Sequence, residues 1–489
     1  MSKGTRKREA AAIRRAEEER LEQARQKKAR RNKIILSCVA ALAVVAIVVG
    51  TFAIIKHKRA NDPDYLLHNT IVATSDNYEV TQAMMTYFMR STFMNFANQN
   101  ADYLEQMELN TQISLKSQTC YFSEDITWFD YFAETTKDSV NWMLGFAEEA
   151  KAKGLALTEE DKDAIEKTLK EVTPSTFGEY ITKEDIRACL ELYYMADKQE
   201  AKVQANLIAT DADVKAFADK HQKDLVQADI MYYGIAYGGT NPYKDKETAE
   251  ALAEKLMKAS PEEFKALLKV ELVENRKLYT ADSFEEKYES FCVKKDHTYM
   301  ESDGFSQWLF DGKTKAGDTF RFDETKDTIM VMMCLTTPDR DRDLTMNVRH
   351  ILFKSDTHGE EGAKKKAEDL LAQWKAGDAT EASFGELAKT HTEDSNGEQG
   401  GLYENVYPGQ MVTNFNDWCF SKDRKPGDTG VVKTDYGYHV MYFVSPGVEM
   451  WYLTAKESFL NESYNTTYQG YLTKYHVNIV DEAVQDVDM

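Results

Sequence analysis

The chain has 489 residues, 42% hydrophobic and 29% charged; that is enough apolar material for real cores and excludes bulk disorder. Its 24 glycines and 8 prolines exclude a collagen-like or low-complexity chain. The net charge of −21 is unevenly placed: residues 60–489 carry 45 basic against 77 acidic side chains, a surface that repels phosphate backbones, so no nucleic acid is expected as a partner.

Residues 1–33 form a basic tail with 13 Lys/Arg and 5 Asp/Glu, and Glu9–Arg31 is patterned as a solvated charged helix. Ile34–Ile55 then runs 22 residues without a charge, about 33 Å as a helix and long enough for a bilayer core. A cleaved signal peptide would have a shorter apolar run with a small-residue site after it. Here Lys56-His57-Lys58-Arg59 follows instead. A lipoprotein reading at Cys38 leaves only Ile34–Ser37 as its signal core. The expectation is a single-pass signal anchor in the cell membrane, N-terminus cytoplasmic and body extracytoplasmic. Beyond it, five cysteines (120, 189, 292, 334 and 419) show no CxxC spacing, which argues against zinc and against a disulfide framework.

Residues 62–225 read as a mostly helical domain. The exception is Asn69–Thr81, two short β-like runs around Ser75-Asp76-Asn77. A helix over Trp128–Lys153 ends at Gly154. Thr158 and Thr210, each with an Asp three residues on, mark two more helix starts. Residues 226–340 and 345–448 are two copies of one α/β unit. Trp308-Leu309-Phe310 with Lys315, Gly317, Asp318 and Thr319 recurs 110 residues later as Trp418-Cys419-Phe420 with Lys425, Gly427, Asp428 and Thr429. Strands are predicted over Asp229–Tyr237 and Val348–Lys354, over Asp327–Leu335 and Tyr438–Val444, and helices over Lys246–Ala259 and Gly362–Ala376. Residues 449–489 add a helix over Tyr452–Tyr475 and a strand-like Val477–Val480.

The second copy resembles the parvulin-type peptidyl-prolyl isomerases. The resemblance rests on Val348-Arg349-His350-Ile351-Leu352-Phe353, Phe384–Lys389, Thr392-Glu393-Asp394-Ser395, Gly409-Gln410-Met411, Phe415, Phe420, Lys425–Asp428 and Thr434–Val440 in this order. The wider layout is similar to the PrsA- and SurA-type extracytoplasmic foldases. The fold class this implies is α+β and multidomain: an N-terminal transmembrane helix (34–55), a helical chaperone domain (62–225), a degenerate parvulin-like domain (226–340), a parvulin domain (345–448) and a C-terminal segment (449–489) returning to the chaperone domain.

The resemblance also assigns residues. It puts His350 and His439 side by side on central strands, Asp394 and Thr434 beside them as catalytic partners, and Leu402, Met411 and Phe415 around the proline ring. One departure stands out: after Gly400-Gly401 the family has an acidic residue, Leu, Gly and an aromatic, where this chain has Leu402-Tyr403-Glu404-Asn405. Under the 110-residue offset, Ile329 stands where His439 does, and Asp229 or Tyr232 where His350 does, so the first copy is expected to fold without isomerising. Rotation about an X–Pro bond breaks no covalent bond, so neither cofactor nor metal is expected. The implied function is a membrane-anchored foldase that isomerises X–Pro bonds and holds unfolded or translocating polypeptides. A holdase using its parvulin folds only as binding platforms is the alternative, and a homodimer is left open.

Overall fold

In the computed structural model the described residues are 62–487, Thr240 and Pro242 excepted. The basic tail expected at 1–33 and the span expected at 34–55 lie outside them. Among the described residues no helix is long and apolar enough to cross a membrane. The chain is α+β with antiparallel sheets and divides into two units: one runs to Asn206 and resumes at Tyr464, and the other is Leu207–Ser463.

The first unit opens with helix α1 (Pro63–Asn69) and the hairpin β1 (Ile71–Thr74) and β2 (Glu79–Thr81). The hairpin turn is tied down by buried Glu148, whose carboxylate accepts from the Ser75 hydroxyl at 2.7 Å and the Asn77 side-chain amide at 2.8 Å. Next come α2 (Gln82–Gln99), a short hairpin of β3 (Thr119–Cys120) and β4 (Ser123–Thr127), α3 (Trp128–Ala152), α4 (Glu159–Glu171) and α5 (Lys183–Asn206). Local chemistry sets these limits. Thr127 with Asp130 and Thr158 with Asp161 form reciprocal capping boxes at the starts of α3 and α4. Gly154, at φ 70°, closes α3 in a left-handed turn that a side chain would strain. Trp128, Phe129, Phe132 and Phe146 fill the core with Met85, Met89 and Leu144. From the chain's end, Asn478–Ile479 pairs antiparallel with β1.

The second unit begins with α6 (Asp211–Lys220), capped by Thr210 and Asp213, whose Val214 and Ala218 pack with Ala455. The first α/β copy follows: β5 (Val226–Ala236), α7 (Lys246–Leu256), α8 (Pro261–Lys269), α9 (Ala281–Cys292), β6 (Val293–Thr298), the short α10 (Ser306–Leu309), β7 (Thr319–Thr325) and β8 (Thr328–Cys334). A two-residue β9 (Asp339–Arg340) pairs with the start of β5. The second copy is β10 (Leu344–Lys354), α11 (Ser355–Ala376), α12 (Glu381–His391), β11 (Leu402–Val406), α13 (Thr413–Cys419), β12 (Thr429–Thr434) and β13 (Gly437–Glu449). The strand orders are the same, β6-β5-β8-β7 and β11-β10-β13-β12.

Because side chains alternate across a strand, each sheet has two distinct faces. In the second copy Ile351, Phe353 and Val440 pack under α11 and α12 with Trp374 and Phe384. Val348, Met441, Phe443 and Val432 pack on the other side with Phe415. The first copy divides likewise, Ile329, Val331 and Met333 against the long helices and Ile230, Tyr232, Met330 and Met332 opposite. The five cysteines among the described residues are buried and free of disulfides.

The ladders correct the correspondence between the copies. The Gly317 amide donates to the Cys334 carbonyl as Gly427 does to Phe443, so past the hairpin the offset is 109, not 110. The extra residue is Glu324, bulged out of β7 between Asp323 and Thr325, so Thr325, paired with Thr328 as Thr434 is with Gly437, takes the place of Thr434. Met330, not Ile329, therefore occupies the place of His439. Tyr232, paired with Met332 as His350 is with Met441, occupies the place of His350.

Candidate active site

Four strands and two loops of the second copy converge on one buried polar cluster. His350 is on β10 and His439 on β13, the two longest strands of the sheet. His350 pairs with Met441 and His439 with Leu352, so the two histidines sit diagonally on one face and their rings stack at 5.3 Å. Their Nδ1 atoms lie 3.1 Å apart, and both residues are at least 95% buried. Thr434, last residue of β12, puts its hydroxyl 2.8 Å from His439 Nε2 and accepts the Tyr436 backbone N–H at 3.2 Å. Asp394, in the loop after α12, brings Oδ2 to 3.1 Å from His350 Nε2; the pair is close enough for an ion pair but is not aligned as a hydrogen bond. Its Oδ1 accepts the Ser395 backbone N–H at 2.7 Å.

The proton positions follow from these contacts. With two Nδ1 atoms 3.1 Å apart, one must donate and the other accept. Burial, and then the neighbouring His350, push the His439 imidazole down to about 3, so it is neutral. The His350 ring, and then the Ser395 N–H and Tyr403 hydroxyl, hold the Asp394 carboxyl well below the usual carboxylate range, so it is ionised. A carboxylate needs a proton on the His350 Nε2 facing it. With His350 as the neutral Nε2–H tautomer, its Nδ1 is the acceptor, His439 Nδ1 the donor, and His439 Nε2 the acceptor of the Thr434 hydroxyl. The cluster has one direction: Tyr436 N–H to Thr434, Thr434 to His439, His439 to His350, with the last proton facing Asp394. Such a chain leaves few lone pairs unmatched and resists rearrangement.

Apolar side chains close the site. The Phe415 ring, 3% exposed on α13, stands edge-on to both imidazoles, 5.5 Å from each. Met411, just before α13, packs in the same cluster with Val432 and Met441. Of the residues singled out in the sequence, His350, His439, Thr434, Asp394, Met411 and Phe415 thus come to one face. Leu402 does not. It pairs with Arg349, on the helix-covered face, whereas Tyr403 pairs with Val348 on the histidine face. Tyr403 stacks on His350 at 5.0 Å and 17° and donates its hydroxyl to Asp394 Oδ2 at 3.2 Å. The missed signal was in the sequence: in the motif after the glycine pair, the second position belongs to the apolar wall, and that position is Tyr403. Gly401 sets this register. The His350 N–H donates to its carbonyl at 2.9 Å, and at φ 69° a Cβ there would lie 2.2 Å from the His350 oxygen.

Two other concavities bear on the second unit. One of about 870 Å³ is lined by Arg349, Trp374, Glu381 and Gly400. Its Arg349 is engaged by Glu381 and by the carbonyls of Gln399 and Gly400. The other, about 560 Å³, lies in the first copy and is lined by Tyr232, Lys294, Phe305, Phe322, Glu324 and Met330 among others. Tyr232, Lys294, Phe305, Phe322 and Met330 stand where His350, Tyr403, Phe415, Val432 and His439 stand in the second copy, and Glu324 is the bulged residue of β7. Among the described residues no group of three or more side chains is placed to hold a metal ion.

Comparison with known proteins bears on the same stretch. Residues 332–445 match the family model described as PPIC-type PPIASE domain. The chain is 28% identical over 145 residues to Foldase protein PrsA 3 of Bacillus anthracis, covering 29% of this chain and 47% of that protein. It is 29% identical over 100 residues to Foldase protein PrsA 1 of Listeria monocytogenes, covering 20% and 30%. The chain therefore spans less than half the length of these curated relatives. Among solved structures, PrsA from Bacillus subtilis aligns with 74% of this chain and 90% of that one, at 15% identity and a TM-score of 0.27.

Proposed function

We propose that this chain, a parvulin-type protein of the PrsA/SurA-like kind, is a membrane-anchored extracytoplasmic foldase. In this reading residues 345–448 catalyse cis-trans isomerisation of X–Pro bonds, residues 62–225 with the C-terminal segment hold unfolded or translocating polypeptides, and 226–340 keep the fold without the chemistry. Ile34–Ile55 anchors the molecule, with the acidic body outside the cell membrane. The observation that carries the reading is the one-directional hydrogen-bond chain through His350 and His439, walled by Phe415.

The chemistry asked of the site is modest. The planar X–Pro amide is held by resonance, with a barrier of about 18–20 kcal/mol to rotation. The twisted amide at the top has lost charge separation, so an apolar pocket favours it relative to water. Met411 and Phe415 grip the proline ring, and Tyr403 takes the wall position that the sequence assigned to Leu402. The histidine pair, with Thr434 and Asp394, holds the floor rigid and spares the substrate the cost of reorganising it. No proton is transferred and no covalent intermediate forms.

Support for holding clients comes from a groove of about 580 Å³ in the first unit, lined by Tyr87, Phe88, Trp142, Met143, Leu190 and Tyr193. Uncatalysed X–Pro exchange takes tens to hundreds of seconds, slow enough for a holding surface and an isomerase to act on one client. The deciding experiment is a proline-isomerisation assay on the full chain. Acceleration that is lost in Phe415→Ala supports the reading, and no acceleration leaves the parvulin folds as binding platforms. Protease added to intact cells should remove most of the mass; full protection would overturn the topology.

A further inference from the structure

We infer that Tyr403 is a positioning residue for the isomerase site: its hydroxyl holds the Asp394 carboxylate against His350, and its ring shields the His350 imidazole. The inference rests on the isomerase reading for its kinetic consequence but not for its electrostatic one.

Asp394 sits on a loop, and its side chain is 28% exposed. The Ser395 backbone N–H engages only Oδ1, and His350 Nε2 lies near Oδ2 without the alignment of a hydrogen bond. The aligned side-chain hydrogen bond on Oδ2 is the one from Tyr403, at 3.2 Å. Without it the carboxylate could turn toward water, and the proton on His350 Nε2 would lose the partner that fixes the direction of the chain. Burial, and then Asp394 beside it, push the Tyr403 phenol up to about 12, so it remains a donor at any physiological pH.

The backbone under Tyr403 is braced. The Asn405 N–H donates to the Asn347 side chain at 2.7 Å, and Asn405 Oδ1 accepts from the Thr345 hydroxyl at 3.1 Å. A register shift between Met346 and Val348 puts β11 in step with the histidine face at Tyr403. The other charged and titratable groups facing Asp394 are His350 on β10 and His439 on β13. Its neighbour Glu393 is engaged by His358 at 2.5 Å and by the Lys354 N–H at 2.7 Å, so it does not compete for the Tyr403 hydroxyl. The first copy has Lys294 at this position. There α9 ends at Cys292 and β6 begins at Val293, leaving no loop to carry an aspartate.

The test uses the full chain. Tyr403→Phe keeps the ring and removes the hydroxyl. It should lower kcat/KM about three- to tenfold and move the acid limb of its pH profile to higher pH. In the Asp394→Ala background the same change should have no further effect, because there is nothing left for the hydroxyl to hold. Tyr403→Leu, which also removes the stack on His350, should lose more than Tyr403→Phe. A second readout needs no activity: with aspartate carboxyls ¹³C-labelled and the Asp394 resonance assigned by its loss in Asp394→Ala, Tyr403→Phe should raise the Asp394 midpoint. Equal losses in both backgrounds, or an unmoved Asp394 titration in folded protein, would overturn the inference. If the wild-type chain does not isomerise at all, the isomerase reading fails and the titration alone decides the role of Tyr403.

Discussion

The two α/β copies share strand order, a buried phenylalanine-bearing face and the Lys-x-Gly-Asp-Thr turn, yet their pockets carry different chemistry. In the second copy the floor is His350, His439 and Thr434 in one hydrogen-bond chain. In the first the places of the two histidines hold Tyr232 and Met330, both lining its cavity, and Thr325 stands where Thr434 does, its hydroxyl donated to Asp327 at 2.8 Å. The first copy does bury a histidine, His297, but on the edge strand, paired with Ala228 where the second copy pairs Val406 with Met346. Its ring lies tilted against Phe305 at 5.1 Å and its Nε2 lies 3.2 Å from Asp303. A fold that tolerates either floor is held by its two apolar layers, and the polar cluster is there for a task. Methionine suits an adaptable apolar surface, whereas the directional chain of the second copy suits one rigid geometry.

That contrast can be broken by experiment. The largest effect should come from Phe415→Ala, which removes the ring packed on both imidazoles. It should cost about 3–5 kcal/mol of stability and, in chains still folded by melting curve, about 10²-fold in kcat/KM. The corresponding Phe305→Ala should leave isomerase activity intact; a loss there would show that the copies share the work. Next is His439→Met, which gives the second copy the residue the first one has. The domain should still fold, because the first copy packs Met330 at that place, and kcat/KM should fall about tenfold. The reciprocal Tyr232→His with Met330→His should confer nothing on a chain inactivated at His439, since the Thr325 hydroxyl is spent on Asp327 at 2.8 Å and no aspartate loop is present. Activity gained there would mean that two histidines suffice.

Acid should separate the copies more gently. His439 is held down to about 3 in the fold, against about 6.5 when unfolded. Between those values the unfolded chain binds the extra proton, so stability falls as pH drops from about 6.5 toward 3. Asp394, also depressed, adds a loss with the same sign below about 4. Melting followed against pH should therefore show a destabilisation of up to a few kcal/mol that His439→Met reduces. An unchanged pH slope in that variant would contradict a buried neutral His439. The smallest effect should be that of Leu402→Ala, within about threefold in kcat/KM, because Leu402 lies on the face away from the histidines. A loss as large as that of Phe415→Ala would restore it to the pocket.

Much of this molecule was legible from local signals. The β1–β2 hairpin around Ser75–Asn77, the starts at Thr158 and Thr210 and the stop at Gly154 each depend on a few consecutive residues. The repeat declared itself through Trp-x-Phe and Lys-x-Gly-Asp-Thr, and the histidine pair stood out within it. What the chain's order alone did not decide was register. Spacing points to Ile329 where the ladder puts Met330, and the resemblance to Leu402 where it puts Tyr403; both are displacements of one residue. In a strand, one residue is the difference between the two faces of the sheet. The bulged Glu324 in β7 and the close approach of Gly401 to His350 set those registers, and both are facts of strand pairing. Composition and spacing determined which residues could build the site, and the pairing of β10 with β11 and β13 decided which of them face it.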